Sequence, residues 1–586
     1  MRLADEGMAR IRHWVFAHTG VYRLILRCRP EERYQPWLVE CHRPAALAPA
    51  GLTECSDYLE RGLIRLFGRT WRLADYRKTF GDSRCAKRWW RLSLQRLAFD
   101  PKYLWELNRH QHLPLLALAG CQPERRTRLI GQIRFELGRW LDDNPPERGL
   151  NWLSNLEVAL RALSWVLTYT LLRPEPDPYW RRWLAVLAHH GRHLEKQRSH
   201  TQACMPNNHL LGELCALVVL GVFFGKPRWV DYYRALDAEV QRQFYPDGVN
   251  FEQSVNYHRF TLDLLVLTQN FLKSQGLRWS GLTQHRLDKA AQFVRWVRLP
   301  DGSFPNTGDN DNALAVHPEV RKVLIATPEP EPAADGPAFR AFCDGGFYIW
   351  RSGWGEHDSY LLVKAGPPAG HGHADLGHFE YCHCGDPVFV DAGTYQYNRA
   401  PQERNYFRST AAHNTLAVGG ASQGQPLPLT NFRWSRLARV REVSSAAARS
   451  ELTPVFEVAI AYPDGKSFHH RTIHTNERLS ALILEDRCRG AATGVAYLHI
   501  EPRNQVRWAG RRQLFITTPS GNNLRVTFTS PGLAAVRLET TPYSETYGDL
   551  RFQQRIGIWF KCPDGEGFLR TVITDGTDLE FDPSPC

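Results

Sequence analysis

Several signatures that would settle a function at once are missing from this chain. Beside Cys382 and Cys384 there is no second CxC or CxxC, which argues against a zinc ribbon, and that pair is too tight for an easy disulfide. The thirteen cysteines are scattered from Cys28 to Cys586, so mostly reduced thiols are expected. No apolar run reaches the ~20 residues of a membrane helix. The longest, Leu210 to Gly225, contains Glu213 and reads as a buried core helix. No apolar h-region with a small-residue cleavage site follows Met1-Arg-Leu-Ala-Asp-Glu6; the mixed Ile11-Arg-His-Trp-Val-Phe16 stands there instead. A cytoplasmic location is therefore expected, or a periplasmic one if the true start differs. Gly308-Asp-Asn-Asp-Asn312 lacks the closing Glu of an EF-hand and is expected to be a helix-capping loop. No RRM, KH or zinc-finger pattern is present, so neither nucleic acid nor membrane is the expected partner.

What is present belongs to an ordinary globular protein. The 586 residues are 43% hydrophobic and 23% charged, long enough for two or more domains with sizeable cores. A formal charge of +12 favours a polyanionic partner, an acidic polysaccharide among them. The Arg84 to Arg96 stretch with Trp89-Trp90 suits stacking on sugars or nucleobases, or a solvated basic helix with one buried aromatic side.

The texture changes once along the chain. Helical spacing dominates near residues 104–120, 126–142, 154–167, 179–196, 208–224, 229–244, 257–274 and 284–298. In Ser154-Asn-Leu-Glu157-Val-Ala-Leu-Arg161, Ser154 and Glu157 are expected to form a capping box and Glu157 to pair with Arg161, while Leu156, Ala159, Leu160, Leu163 and Leu167 line one face. After Pro328-Glu-Pro-Glu-Pro332 the period becomes two, as in Tyr360-Leu-Leu-Val, Leu479-Ser-Ala-Leu-Ile-Leu and Leu524-Arg-Val-Thr-Phe. The expected architecture is an α-domain followed by a large antiparallel β-sandwich.

Chemistry concentrates between His371 and His413. His371 and His373, two apart among β-formers, would share one face of a strand, one able to bind a metal while the other faces substrate. Asp391 and His413 supply what a metal would still need, and His/His/Asp with an open position suits Zn²⁺. The competing reading makes the histidines core residues bonded to backbone and Asp391 a turn cap before Gly393. In the helical half, Asn207-Asn208-His209 opens an apolar helix, where an anion is favoured or where one Asn simply caps the helix. Glu252-Gln253-Ser-Val-Asn-Tyr257 forms a second island, with Gln253 and Tyr257 to one side of a helix.

With Asp100-Pro-Lys-Tyr-Leu-Trp-Glu106, Asn151-Trp152, Asn207-Asn208-His209, Glu252 through Tyr257, His371-Gly-His373-Ala-Asp375 and Arg408-Ser-Thr-Ala-Ala-His413-Asn-Thr415 in this order, the chain resembles the heparinase II/III-like polysaccharide lyases. The resemblance implies an N-terminal helical extension over 1–90, an incomplete (α/α) toroid over 91–327, a linker over 328–338 and an antiparallel β-sandwich over 339–586. It implies β-elimination on an acidic, uronic-acid-containing polysaccharide or oligosaccharide. By similarity Asn208 with His209 would neutralise the uronate carboxylate, and Tyr257, His371 and Tyr397 would serve as base or acid, Tyr395 being the rival of Tyr397. Asn207, Glu252, Gln253 and Arg404 would bind substrate. His373, Asp391 and His413 would hold a mainly structural Zn²⁺ or another divalent cation, with Asp375 and Asn414 behind them fixing an imidazole tautomer. Two other readings compete: a glycoside hydrolase on a helical toroid, for which Glu252 and Asp375 are the available carboxylates, and a non-catalytic polysaccharide-binding protein.

Overall fold

The computed structural model describes residues 50–80, 87–92, 97, 99–273, 276–325, 336–367, 369–428 and 430–576. Most of the expected linker falls outside these residues, as do most of the N-terminal extension and part of the Arg84 to Arg96 stretch. The chain divides into two compact units. One takes the described residues up to Gln243 with Phe260–His285 and those from Ala313; the other takes Phe244–Arg259, Arg286–Asn312 and the described residues from 336 onward. On this division two segments of the helical half group with the β-rich unit.

The first unit is an array of helices, among them Pro123–Asp143, Asn155–Leu172, Pro178–Cys204 and Asn208–Phe223. Every residue of Asn155–Leu172 is buried, so its apolar positions are not confined to one face. That burial overturns the local pairing expected there. Ser154 caps the helix without a side-chain hydrogen bond. Glu157 accepts from Arg109 Nε and Nη2 at 2.7 and 2.8 Å. Arg161 donates instead to His190 Nε2 at 2.9 Å and to Asn151 O at 2.8 Å, between the Trp140 and Trp152 rings. The stretch expected near 104–120 is two helices, Pro101–Asn108 and His112–Ala119, broken at His110, whose φ is +57°. Trp89 is buried with its indole N–H on Glu147 at 2.6 Å, which is a core role and no stacking platform.

In the second unit five antiparallel strands, Ala338–Phe342, Phe347–Arg351, Tyr360–Lys364, His378–His383 and Asp386–Phe389, lie in sequence order. An eight-stranded and a four-stranded sheet accompany them. Residues of one parity, including Trp350, Leu361, Val363, Phe379 and Tyr381, join a core shared with the other two sheets. Those of the other parity, Phe347, Ile349, Tyr360, Leu362 and Cys382, pack on Val249, Val255, Phe293 and Val297. Both faces of this sheet are thus apolar, and the second face holds the segments around Val255 and Phe293 in the β-rich unit.

Candidate active site

The His371 to His373 segment is a loop leading into strand His378–His383, not the strand its composition suggested. The two imidazoles do not share a strand face; they converge on one carboxylate. His371 Nδ1 lies 2.8 Å from Asp309 Oδ2, and His373 Nε2 lies 2.9 Å from Asp309 Oδ1. Asp309 is fully buried and also receives the Arg404 guanidinium, Nη2 to Oδ2 at 2.8 Å and Nη1 to Oδ1. Burial alone would raise the Asp309 carboxyl, but Arg404 and the two imidazoles hold it well below its ordinary range. An ionised carboxylate only accepts, so both imidazoles donate to it. Its backbone is pinned too: its N–H donates to His371 O at 2.9 Å, and its carbonyl accepts from Ser254 Oγ at 2.5 Å.

Around His371 the aromatic groups close in. Tyr257 stacks on its ring at a centroid distance of 3.9 Å, and the Tyr257 hydroxyl meets that of Tyr397 at 3.2 Å. Phe432 packs 5.0 Å from His371 and 5.0 Å from Tyr397. Burial raises both tyrosine hydroxyls well above their usual range, so each keeps its proton. Tyr395 is only partly buried and packs on Phe407, which leaves Tyr397 as the tyrosine beside Tyr257. His371 Nε2 faces Glu252 Oε2 at 3.4 Å. Burial would lower the His371 pKa, but the Asp309 hydrogen bond and the Glu252 charge outweigh it and hold it above the ordinary value. Gln253 has φ +59°, and its amide oxygen and nitrogen are buried without a partner among the described residues.

His373, Asp391 and His413 form a buried cluster in which one donor atom of each lies within 4.8 Å of the others. The donor set fits a metal by its own chemistry. His413 Nδ1 pairs with Asp391 Oδ2 at 2.8 Å, and His373 Nε2 is taken by Asp309, which leaves His413 Nε2 and His373 Nδ1 buried with no partner among the described residues. Burial drives the His373 imidazole down to about 4, so it is neutral, the form that ligates. Asp391 also accepts from Gly393 N at 2.8 Å, so it serves as turn cap and cluster member together. His378 is a neighbour missed from the sequence: its Nδ1 accepts from Asn414 N at 2.9 Å, and its Nε2 faces Asp391 Oδ2 at 3.5 Å.

The heparinase II/III N-terminus model matches residues 75–329, and the heparinase II/III-like C-terminal model matches residues 334–574. The chain belongs to the heparinase II/III family. Among curated proteins it is similar to the heparin-sulfate lyase of Bacteroides stercoris, 25% identical over 62% of this chain and 56% of that one. A heparin-sulfate lyase of Pedobacter heparinus is 25% identical over 54% of this chain and 50% of the relative. The chain thus spans about half the length of the curated relatives it matches. Solved structures share the fold. A heparinase III structure gives a TM-score of 0.65 at 17% identity, covering 92% of this chain and 95% of that one. A heparan sulfate lyase mutant from Pedobacter heparinus gives 0.61 at 18% identity, covering 96% and 90%. The architecture of that fold, an incomplete toroid followed by an antiparallel β-sandwich, is the one expected from the sequence.

Within this heparinase II/III chain the expected site residues are divided. Glu252, Gln253, Tyr257, His371, Tyr397 and Arg404 come together in the β-rich unit, beside His373, Asp391 and His413. Asn207, Asn208 and His209 stand in the helical unit, where Asn207 caps helix Asn208–Phe223 by accepting from His209 N at 3.2 Å. Arg404 departs from the expectation of a substrate contact: it is 1% exposed, with its guanidinium on Asp309 and on Asn431 O. Among the described residues neither Asp375 nor the Asn414 side chain hydrogen-bonds to His373 or His413. Asp375 is buried against Lys364 Nζ at 2.7 Å. Asn414 donates to Phe379 O and Val390 O and accepts from His499 N, tying strands together. The carboxylate that meets His373 is instead that of Asp309, which lies 64 residues away in sequence and sits in a run of turn-forming residues.

Proposed function

We propose that the protein is a polysaccharide lyase that cleaves uronic-acid-containing acidic polysaccharide by β-elimination, with heparan sulfate the first substrate to try because the curated relatives are heparin-sulfate lyases. The observation that carries this reading is the stack of Tyr257 on His371 at 3.9 Å, with Tyr397 at hydrogen-bond distance from Tyr257. Elimination needs a group to take the C5 proton and one to return a proton to the departing O4. In its neutral form His371, its Nδ1–H held by Asp309, offers Nε2 as the base, in the manner of a carboxylate-oriented catalytic histidine. The proton moves from C5 to Nε2, the C–H electrons form the C4=C5 double bond, and the C4–O4 bond breaks. Tyr257, kept protonated by burial, donates to O4, and Tyr397 holds the Tyr257 hydroxyl in line.

His373, Asp391 and His413 are proposed to hold Zn²⁺. Bound there, the ion would supply fixed positive charge and a rigid anchor for the loop that carries His371. The test is turnover of heparan sulfate, chondroitin sulfate, hyaluronan and alginate in the presence of Zn²⁺. A lyase releases unsaturated ends that absorb in the ultraviolet; new reducing ends without that absorbance would point to a hydrolase instead.

A further inference from the structure

Asp309 touches two histidines with different duties, one through each oxygen. On Oδ2 it takes His371 Nδ1, which leaves only Nε2, facing Glu252 Oε2 at 3.4 Å, for proton transfer; on Oδ1 it takes His373 Nε2, which leaves Nδ1 buried without a partner among the described residues, beside Asp391 and His413. Arg404 accompanies both oxygens, so the carboxylate holds two imidazoles without leaving an uncompensated charge in the interior. The loop has little freedom to move. Gly308 has φ +74°, and a Cβ on it would meet Gln253 O at 2.5 Å, while Asn310 N donates to Thr394 Oγ1 at 2.7 Å.

We infer that Asp309, clamped by Arg404, is a positioning residue that sets the tautomer and direction of the proton-transfer histidine and of a metal-binding histidine at once, coupling metal occupancy to turnover. The His371 half of this inference rests on the lyase reading; the His373 half stands on the donor set alone. Outer partners of metal ligands are typically worth about 10–100-fold in affinity or activity.

The experiment compares wild type, Asp309→Asn and His371→Ala by zinc titration, by kcat and KM on heparan sulfate, and by imidazole nitrogen NMR of the zinc-free protein. Asp309→Asn is expected to weaken zinc binding by about 10–100-fold, to lower kcat with KM changed less than about threefold, and to lose the Nε2-protonated signal of His373. His371→Ala is expected to lose turnover and bind zinc as wild type does. Normal zinc affinity with a normal His373 tautomer in Asp309→Asn overturns the inference. If Asp309→Asn shows no cooperative thermal transition, Arg404→Lys carries the test: it keeps the charge but loses the two-pronged contact. It must then show both losses in smaller measure, and its behaving as wild type overturns the inference. Zinc affinity and the tautomer do not depend on turnover, so an inert wild type defeats the lyase reading and leaves the metal half intact.

Discussion

At the scale of single residues, the proton-transfer groups carry the first prediction. Tyr257→Phe removes the hydroxyl and keeps the ring stacked on His371, so turnover should fall by about 10²–10⁴-fold while oligosaccharide affinity, measured by calorimetry, holds within a few-fold. Loss of affinity with turnover intact would show that Tyr257 is a binding residue only. Gly308→Ala forces a side chain into a left-handed backbone 2.5 Å from Gln253 O and should destabilise the β-rich unit by about 1–3 kcal/mol, read from its denaturant midpoint. His371, His373, Asp391 and His413 were legible as candidates because they sit in short runs dense with chemistry, whereas the roles of Tyr257 and Tyr397 came only from the family resemblance. Asp309 was not, since Gly308-Asp-Asn-Asp-Asn312 has the composition of any polar turn, and Arg404 lies 95 residues further on. Arg404 was picked out but given the wrong contact: nothing local distinguishes an arginine that meets a ligand from one that clamps an internal carboxylate.

At the scale of elements, most helix and strand positions followed the periodicity, with the break at His110 and the loop at His371–His373 as exceptions, whereas the side-chain pairing on helix Asn155–Leu172 did not. The i,i+4 rule describes solvated helices; here burial on every side lets Glu157 reach Arg109 and Arg161 reach His190. Helix Asn208–Phe223 carries a comparable cost in Glu213, whose carboxyl burial pushes up to about 8. A folded pKa raised above the unfolded value of about 4.5 means the native state holds a proton that the unfolded chain releases. That contribution to stability is full below about pH 4.5 and is lost as pH rises through about 8. Glu213→Gln, which cannot ionise, should therefore raise the melting temperature more at pH 8 than at pH 5; an equal shift at both would place the carboxyl in a wetter setting than its burial implies. In the five-stranded sheet, Leu362→Ala opens a hole in the face that packs on Val255 and Phe293 and should cost about 2–5 kcal/mol.

At the scale of the whole molecule, the sequence showed two textures and their order. It did not show that Phe244–Arg259 and Arg286–Asn312 join the β-rich unit, because a helix packed on a sheet has the same period as a helix packed on helices. That recruitment is what places Tyr257 and Asp309 with His371, so half of the candidate site is drawn from the helical stretch of the chain. The net charge of +12 suits an anionic polymer, and KM for such a substrate should rise with ionic strength. The central claim is elimination at the His371 and Tyr257 pair, and one measurement meets it directly: wild type, His371→Ala and Tyr257→Phe incubated with heparan sulfate and Zn²⁺, followed by ultraviolet absorbance and product mass. The account predicts absorbing products with no water added across the cleaved bond from wild type, and none from either variant. Hydrated, non-absorbing products, or undiminished absorbance from the variants, would contradict it.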